Sequence, residues 1–255
     1  MDHSTPFIPA FDAAALGTSL FLLLLYLVIY ESSARREHVD NSANRVQTQA
    51  GRNKRNMLIW AEKHNKLPDA PNVTLAIQSL RNTILVGIFI GGASLQYAVN
   101  ACEVLRADVT PSVICRQLII AALLFISFLN WTQVIRFANH AGYFIGTLNS
   151  HVLEKKEAMQ LKADGNTGDT VYIQIGDADA AAATPESEFD TLALREVAII
   201  TKIMTSHFSY GLRFIYFTIP YFFYAAGPVA LVVSGGLTLF FLCYFDLPRH
   251  DGHVK

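Results

Sequence analysis

Four stretches of this 255-residue sequence contain no charged side chain. They cover residues 13–30, 82–102, 117–135 and 214–245. A helix in a soluble core would show a polar face, whereas an uncharged apolar stretch of roughly 20 residues is long enough to cross a bilayer. The lack of charge in these blocks therefore excludes a soluble globular domain and predicts an integral, multi-pass membrane protein.

The first twelve residues also lack Lys and Arg, although they include two acids. This absence argues against a cleavable signal peptide and against a mitochondrial or plastid transit peptide. The first apolar block is longer than the apolar core of a signal peptide. We therefore expect a retained first span, inserted by the secretory route and located in the plasma membrane, or in the inner membrane of a bacterium.

Catalytic signatures are absent as well. The four blocks contain no Asp or Glu, and the chain has no Gly-rich phosphate loop, nucleophile elbow or paired carboxylates. Proton and cation pathways usually use buried carboxylates. His140 and His151 share a helical face but stand about 16 Å apart along it, which is too far for one metal ion. The sequence predicts no enzyme, no cofactor, no metal site, no proton-coupled pump and no nucleic-acid partner.

Basic residues are distributed unevenly between the connections. Segments 31–80 and 138–212 together carry thirteen Lys and Arg, against four in the other connection and the tail. An excess of Lys and Arg marks cytosolic connections. We therefore expect both long connections in the cytosol and both termini on the non-cytosolic side. The expected spans are about 13–31, 82–103, 117–137 and 221–245.

The last apolar block is longer than one span requires. As a helix, its 32 residues would reach about 48 Å, and Pro220 and the pair Gly227-Pro228 interrupt it. We expect residues 208–220 to form an interfacial or tilted entry before a span at 221–245. A re-entrant hairpin is the alternative.

Helical patterns continue outside the spans. Apolar residues from Val73 to Ile84 follow the spacing of one helical face, and Pro185 is suited to begin a helix that leads into the last block. Residues 163–190 hold seven acids and no base, and they predict a disordered cytosolic insert. The predicted fold is all-α: a single polytopic membrane domain over residues 1–255 with four transmembrane helices and helical cytosolic extensions.

Basic and amide side chains gather at the cytosolic borders of the spans. Arg136, Asn139 and His140 share one helical face at the end of span three, and Arg81-Asn82 opens span two. The full predicted collar is Arg35, Arg36, Arg81, Asn82, Arg136, Asn139, His140 and Arg213. Its simplest explanation is the excess of basic residues on the cytosolic side, with arginines reaching to headgroups. The alternative is a pocket for an anionic lipid headgroup or for the acidic segment of a partner.

Three segments resemble the signature of a membrane family. They read IQSLRNTILVG at 77–87, VIRFANH at 134–140 and GLRFIYFTIPYFFYAAGPV at 211–229. They are similar to a multi-pass family catalogued as domain of unknown function 599, and the resemblance covers about residues 55–150 and 188–247. The positions that carry it are Arg81-Asn82, Arg136 with Asn139, and Gly211, Arg213, Pro220, Gly227 and Pro228. The family has no established activity, so the resemblance implies an architecture and leaves function open.

Small and sulfur-containing residues suggest further contacts. Gly87 and Gly91 form a GxxxG motif suited to close helix packing, with packing inside the chain favoured over a homodimer contact. Cys102 and Cys115 flank the short outer loop, where an oxidising compartment would permit a disulfide. Two free thiols are the favoured alternative.

Two functions are compatible with these patterns. The leading hypothesis is a non-catalytic accessory or scaffolding component, in a protein complex or a homo-oligomer, whose collar binds anionic lipid or a protein partner. The alternative is a small oligomeric channel or transporter, motivated by polar residues within spans two and three. Those residues are Gln96, Asn100, Asn130 and Gln133. Hydrogen bonding between helices is their simpler explanation.

Overall fold

The computed structural model describes residues 10–39, 56, 59, 70–104, 110–163 and 185–246, with side chains in helices over 10–32, 74–104, 110–147 and 195–246. Five α-helices and one short 3-10 helix account for nearly all of this part of the chain. The helices are α1 (Ala10–Val39), α2 (Ala70–Val104), α3 (Pro111–Ala163), α4 (Pro185–Phe223) and α5 (Pro228–Asp246), with the 3-10 turn at Tyr224–Ala226.

Four of these helices are long and apolar enough to cross a membrane. The qualifying segments are Ala10–Ser32, Thr74–Val104, Pro111–Thr147 and Pro228–Asp246. The helix α3 has 53 residues and extends about 80 Å, far beyond the roughly 30 Å of a hydrocarbon core. The prediction of an all-α membrane protein with four apolar helices that continue as helical extensions is confirmed.

Two helix boundaries refine the sequence expectations. The helix α4 begins at Pro185, as the sequence predicts, and so includes residues 185–190 of the expected disordered insert. Residues 164–184 of that insert lie outside the described residues. Span two continues a helix that starts at Ala70.

Helices α2 and α3 run antiparallel, and two glycines of α2 allow them to pack closely. A Cβ atom on Gly87 would stand 2.9 Å from Cγ1 of Ile135, and one on Gly91 would stand 3.0 Å from Cβ of Trp131. Any larger residue would push the helices apart, so both glycines serve close packing inside the chain.

Trp131 occupies the junction of α2, α3 and α4 and is fully buried. Phe208 of α4 meets its ring edge-on at a centroid distance of 5.0 Å. A Cβ atom on Gly211 would lie only 2.8 Å from Nε1 of Trp131, which makes glycine necessary there. The Ser127 hydroxyl donates to the Gly211 carbonyl at 2.8 Å, and this hydrogen bond links α3 to α4 next to the same contact.

A turn divides the last apolar block into two helices. The helix α4 ends at Phe223, and Gly227 then adopts a φ of 111° that other residues rarely adopt. Pro228 starts α5, where its missing N–H is no loss. The expected single helix at 221–245 is therefore corrected: the block forms a helical hairpin, with Ser234 of α5 within 3.5 Å of the Pro220 carbonyl.

Helices α1 and α5 run parallel. A Cβ atom on Gly235 would lie 3.3 Å from the Ser19 hydroxyl, and further along both helices the Tyr26 hydroxyl donates to Asp246. Ala10 and Asp246 consequently lie at opposite ends of the bundle. The expectation that both termini share one side is corrected for these helix ends, because α4 returns the chain before α5 begins.

We call the two ends of the bundle the turn end and the arginine end. The turn end holds the α4–α5 turn, and the start of α3 joins it there, since the Arg116 guanidinium lies 5.7 Å from the centre of the Tyr224 ring. The arginine end holds Asp246 and the C-terminal part of the described side chains of α1.

Candidate functional site

Arg213 of α4 is buried at the arginine end, with 8% of its side chain exposed. Its Nη2 donates to Oδ2 of Asp246 at 2.7 Å, and its Nη1 donates to the Ser209 carbonyl at 2.9 Å. The second bond runs back one turn, so the guanidinium points toward the arginine end. Its Nε lies 3.5 Å from the Tyr26 hydroxyl.

Aromatic rings from α1 cover the guanidinium. Its Cζ lies 3.7 Å from the centre of the Tyr30 ring, a close cation–π contact. The Tyr26 ring stacks on Tyr30 at a centroid distance of 6.2 Å and meets Phe217 edge-on at 6.1 Å. The Tyr26 hydroxyl also donates to Asp246, so one acid receives bonds from α1 and from α4.

A second hydrogen bond between α1 and α4 lies beside this network. The Tyr210 hydroxyl of α4 donates to Oε2 of Glu31 in α1, the residue after Tyr30. We call the network and this neighbouring pair together the Arg213 cluster. Its members are Tyr26, Tyr30, Glu31, Tyr210, Arg213 and Asp246.

The Arg213 cluster ties three helices together. One cation is neutralised by one acid, and both lie within reach of the Tyr26 hydroxyl, so neither buried charge lacks a partner. At 1.5 Å per residue, Asp246 stands about 27 Å along α5 from Pro228, near the border of a roughly 30 Å hydrocarbon layer. The arrangement suits a fixed connection between α1 and the α4–α5 hairpin.

Other members of the predicted collar face outward. Arg81 and Asn82 on α2 are exposed, as are Arg136, Asn139 and His140 on α3. We call these five residues the outer collar.

Arg213 does not belong to the exposed collar, and this part of the prediction is corrected. The sequence placed Arg213 at a span border beside Arg81 and Arg136, but Asp246 and Tyr30 draw it into the protein. Arg35 and Arg36 lie in α1, outside the side chains that the structure describes.

Sequence reasoning missed the partners of Arg213. It found no acid inside the apolar blocks, yet Glu31 and Asp246 each follow directly after a block. A charge beside a long apolar segment calls for an opposite charge nearby. A search one residue beyond each block would have found both acids, whereas the parallel packing of α1 and α5 was needed to bring them together.

The polar residues inside the spans separate into two groups. Nδ1–H of His207 in α4 donates a 2.9 Å hydrogen bond to Oδ1 of Asn130 in α3. Gln96 instead bonds to Asn100 one turn along α2. In a single chain these residues do not meet at one place.

No three His, Cys, Asp or Glu side chains converge as metal ligands anywhere in the described residues. Cys102 and Cys115 are both free, so the structure contains no bridge between them.

Comparison with known proteins assigns the family. No curated protein and no solved structure matches the chain. One family matches over residues 18–250, which includes every member of the Arg213 cluster and of the outer collar. The chain therefore belongs to the family described as Protein of unknown function, DUF599.

Proposed function

We propose that this protein is a non-catalytic accessory component of its membrane, and that its outer collar binds anionic lipid headgroups. The observation that carries the proposal is the exposure of Arg81 and Arg136 on neighbouring helices. Exposed arginines beside apolar, outward-facing residues at a membrane border attract phosphate groups.

The depth of these arginines supports the proposal. Along α2, Arg81 lies about 35 Å from Val104, and along α3, Arg136 lies about 38 Å from Pro111. Both distances slightly exceed the roughly 30 Å of hydrocarbon. The guanidinium groups can therefore reach the headgroup layer at the arginine end while their stems cover apolar surface.

Neighbouring amides and a histidine would add specificity. Asn82 follows Arg81, while Asn139 and His140 lie one turn from Arg136 on the exposed face of α3. A phosphate offers several acceptor oxygens, so it can receive one bond from an arginine and another from an amide. An arginine and an amide that bind one phosphate together favour a lipid headgroup over a mobile anion from solution.

The same proposal sets the orientation. The segments 31–80 and 138–212, which carry most of the basic residues, connect successive helices at the arginine end, so we place that end in the cytosol. Ala10 then faces the non-cytosolic side, and Asp246 faces the cytosol. Cysteine labelling of a residue before Ala10 and of a residue after Asp246 from either side of sealed vesicles tests this orientation.

The experiment measures lipids that stay with the protein. Wild-type protein and the Arg81→Ala/Arg136→Ala variant are reconstituted in vesicles of phosphatidylcholine with one-fifth phosphatidylglycerol and re-extracted in mild detergent. Retained lipids are quantified by mass spectrometry. We expect the wild type to be enriched in phosphatidylglycerol over the vesicle composition, and the variant to approach that composition.

Arg195→Ala is the matched control. Arg195 is also an exposed arginine, but it lies in α4, about 42 Å from Phe223, and is not a member of the outer collar. Equal phosphatidylglycerol enrichment in wild type and in the double variant would overturn the proposal. Loss of a co-purifying protein instead of lipid in the double variant would replace the headgroup with an acidic partner.

A further inference from the structure

Helix α2 has two opposite faces with different surroundings. One face carries Gly87 and Gly91 and packs against α3. The other carries Gly92, Gln96 and Asn100, which are all exposed and follow each other at intervals of four residues. A Cβ atom on Gly92 would meet nothing within 4 Å. The second face is therefore open to a neighbour.

This open face places amides within the hydrocarbon layer. Measured along α2 from Val104, Asn100 lies about 6 Å and Gln96 about 12 Å into the span. Nε2 of Gln96 donates to Oδ1 of Asn100 at 3.0 Å. Within the described part of the chain, this bond leaves the Gln96 carbonyl oxygen and the Asn100 amide hydrogens with no further side-chain partner.

Unsatisfied amide groups are costly in hydrocarbon, because lipid tails can neither donate nor accept a hydrogen bond. Polar side chains on transmembrane helices therefore promote association with another helix, and a small residue on the same face allows the backbones to approach. Gln96 and Asn100 provide the polar groups, and Gly92 provides the space.

We propose that the face of α2 formed by Gly92, Gln96 and Asn100 binds the same face of a second copy of this chain. Two copies inserted in the same orientation meet around a twofold axis along the membrane normal, which brings each residue near its own counterpart. An amide is both donor and acceptor, so the free carbonyl oxygen of one copy matches the free amide hydrogens of the other. This proposal does not depend on lipid binding by the outer collar.

Energy transfer between labelled copies tests the proposal. Donor-labelled and acceptor-labelled wild-type protein are mixed in phosphatidylcholine vesicles over a range of protein-to-lipid ratios. We expect concentration-dependent transfer that reports a dimer. Replacing both amides, Gln96→Leu/Asn100→Leu, should weaken the dimer at least about tenfold, because the hydrogen bonds between the two helices are lost.

Gln78→Leu is the matched control. Gln78 is exposed on the same face of α2 and lies five turns before Gln96, about 39 Å from Val104 and outside the hydrocarbon. It should leave the dimer unchanged because water satisfies its amide. Gly92→Leu should weaken the dimer by blocking close approach while keeping both amides.

Three results would overturn the proposal: a monomeric wild type at every ratio, a dimer unaffected by the double variant, or equal weakening by Gln78→Leu. Thermal melts of each variant check that it is folded. If the double variant alone fails to fold, Gly92→Leu decides, and an undiminished dimer in that variant overturns the proposal.

Discussion

Arg213 and Arg136 are the same residue type near the same end of the bundle, yet they have opposite surroundings. Arg213 is buried against Asp246 and the Tyr30 ring, whereas Arg136 is exposed on α3. The difference lies in the neighbouring helices: α4 packs beside an acid and two tyrosines, whereas the outer face of α3 meets no such partner among the described residues. An arginine near the end of an apolar helix therefore holds helices together or stays exposed according to what packs beside it.

The buried arginine should be the most sensitive position. Arg213→Met leaves Asp246 partly buried without its cation, and removing one partner of a buried ion pair costs about 3–5 kcal/mol. We expect a large drop in the melting temperature of the detergent-solubilised protein, or loss of folded protein. A melting temperature equal to that of the wild type would show that the pair does not hold the helices.

Removing both charges should restore much of that stability. In Arg213→Met/Asp246→Leu neither member of the ion pair is left without its partner, and apolar replacement of a buried ion pair is often close to neutral. We expect the double variant to melt well above Arg213→Met. A double variant that melts no higher than the single one would mean that the guanidinium acts mainly through Tyr30 and the Ser209 carbonyl.

A glycine in a packed junction and a glycine on an exposed face should respond differently to the same substitution. Gly211→Ala pushes a methyl group to 2.8 Å from Nε1 of Trp131, and such overpacking costs about 1–3 kcal/mol. Gly92→Ala places its methyl group in open space. Melting curves of the two variants should differ clearly, and equal melting temperatures would contradict the close packing at Trp131.

The outer collar should matter least for folding. Arg81→Ala and Arg136→Ala change exposed side chains, and such substitutions usually alter stability by less than about 0.5 kcal/mol. Their melting temperatures in detergent should match the wild type, in contrast with Arg213→Met. A drop comparable to that of Arg213→Met would show that the collar arginines also connect helices.

Much of the fold could be predicted from hydropathy alone. The apolar blocks predicted the four candidate spans, and the helical spacing before span two and Pro185 predicted the extended helices. These signals are local: each depends on a single segment being apolar or periodic. The break at Gly227-Pro228 is also visible in the sequence, but a glycine-proline pair does not say whether the chain turns back or continues.

The candidate site was predicted only in part. Local charge predicted that Arg81, Arg136 and Arg213 share one collar; Arg81 and Arg136 are exposed, whereas Arg213 is buried. Asp246 is 33 residues from Arg213 in sequence, and Tyr26 is 187 residues away. No local pattern connects positions so far apart.

The sequence by itself determined that this chain is a helical membrane protein with arginines at one border, because a bilayer rejects charge from any segment that crosses it. The tertiary structure decided which arginine is withdrawn from that border. The turn at Gly227 and the parallel packing of α1 and α5 bring Asp246 and Tyr30 to Arg213, and an ion pair buried in this way depends on contacts that no single segment contains.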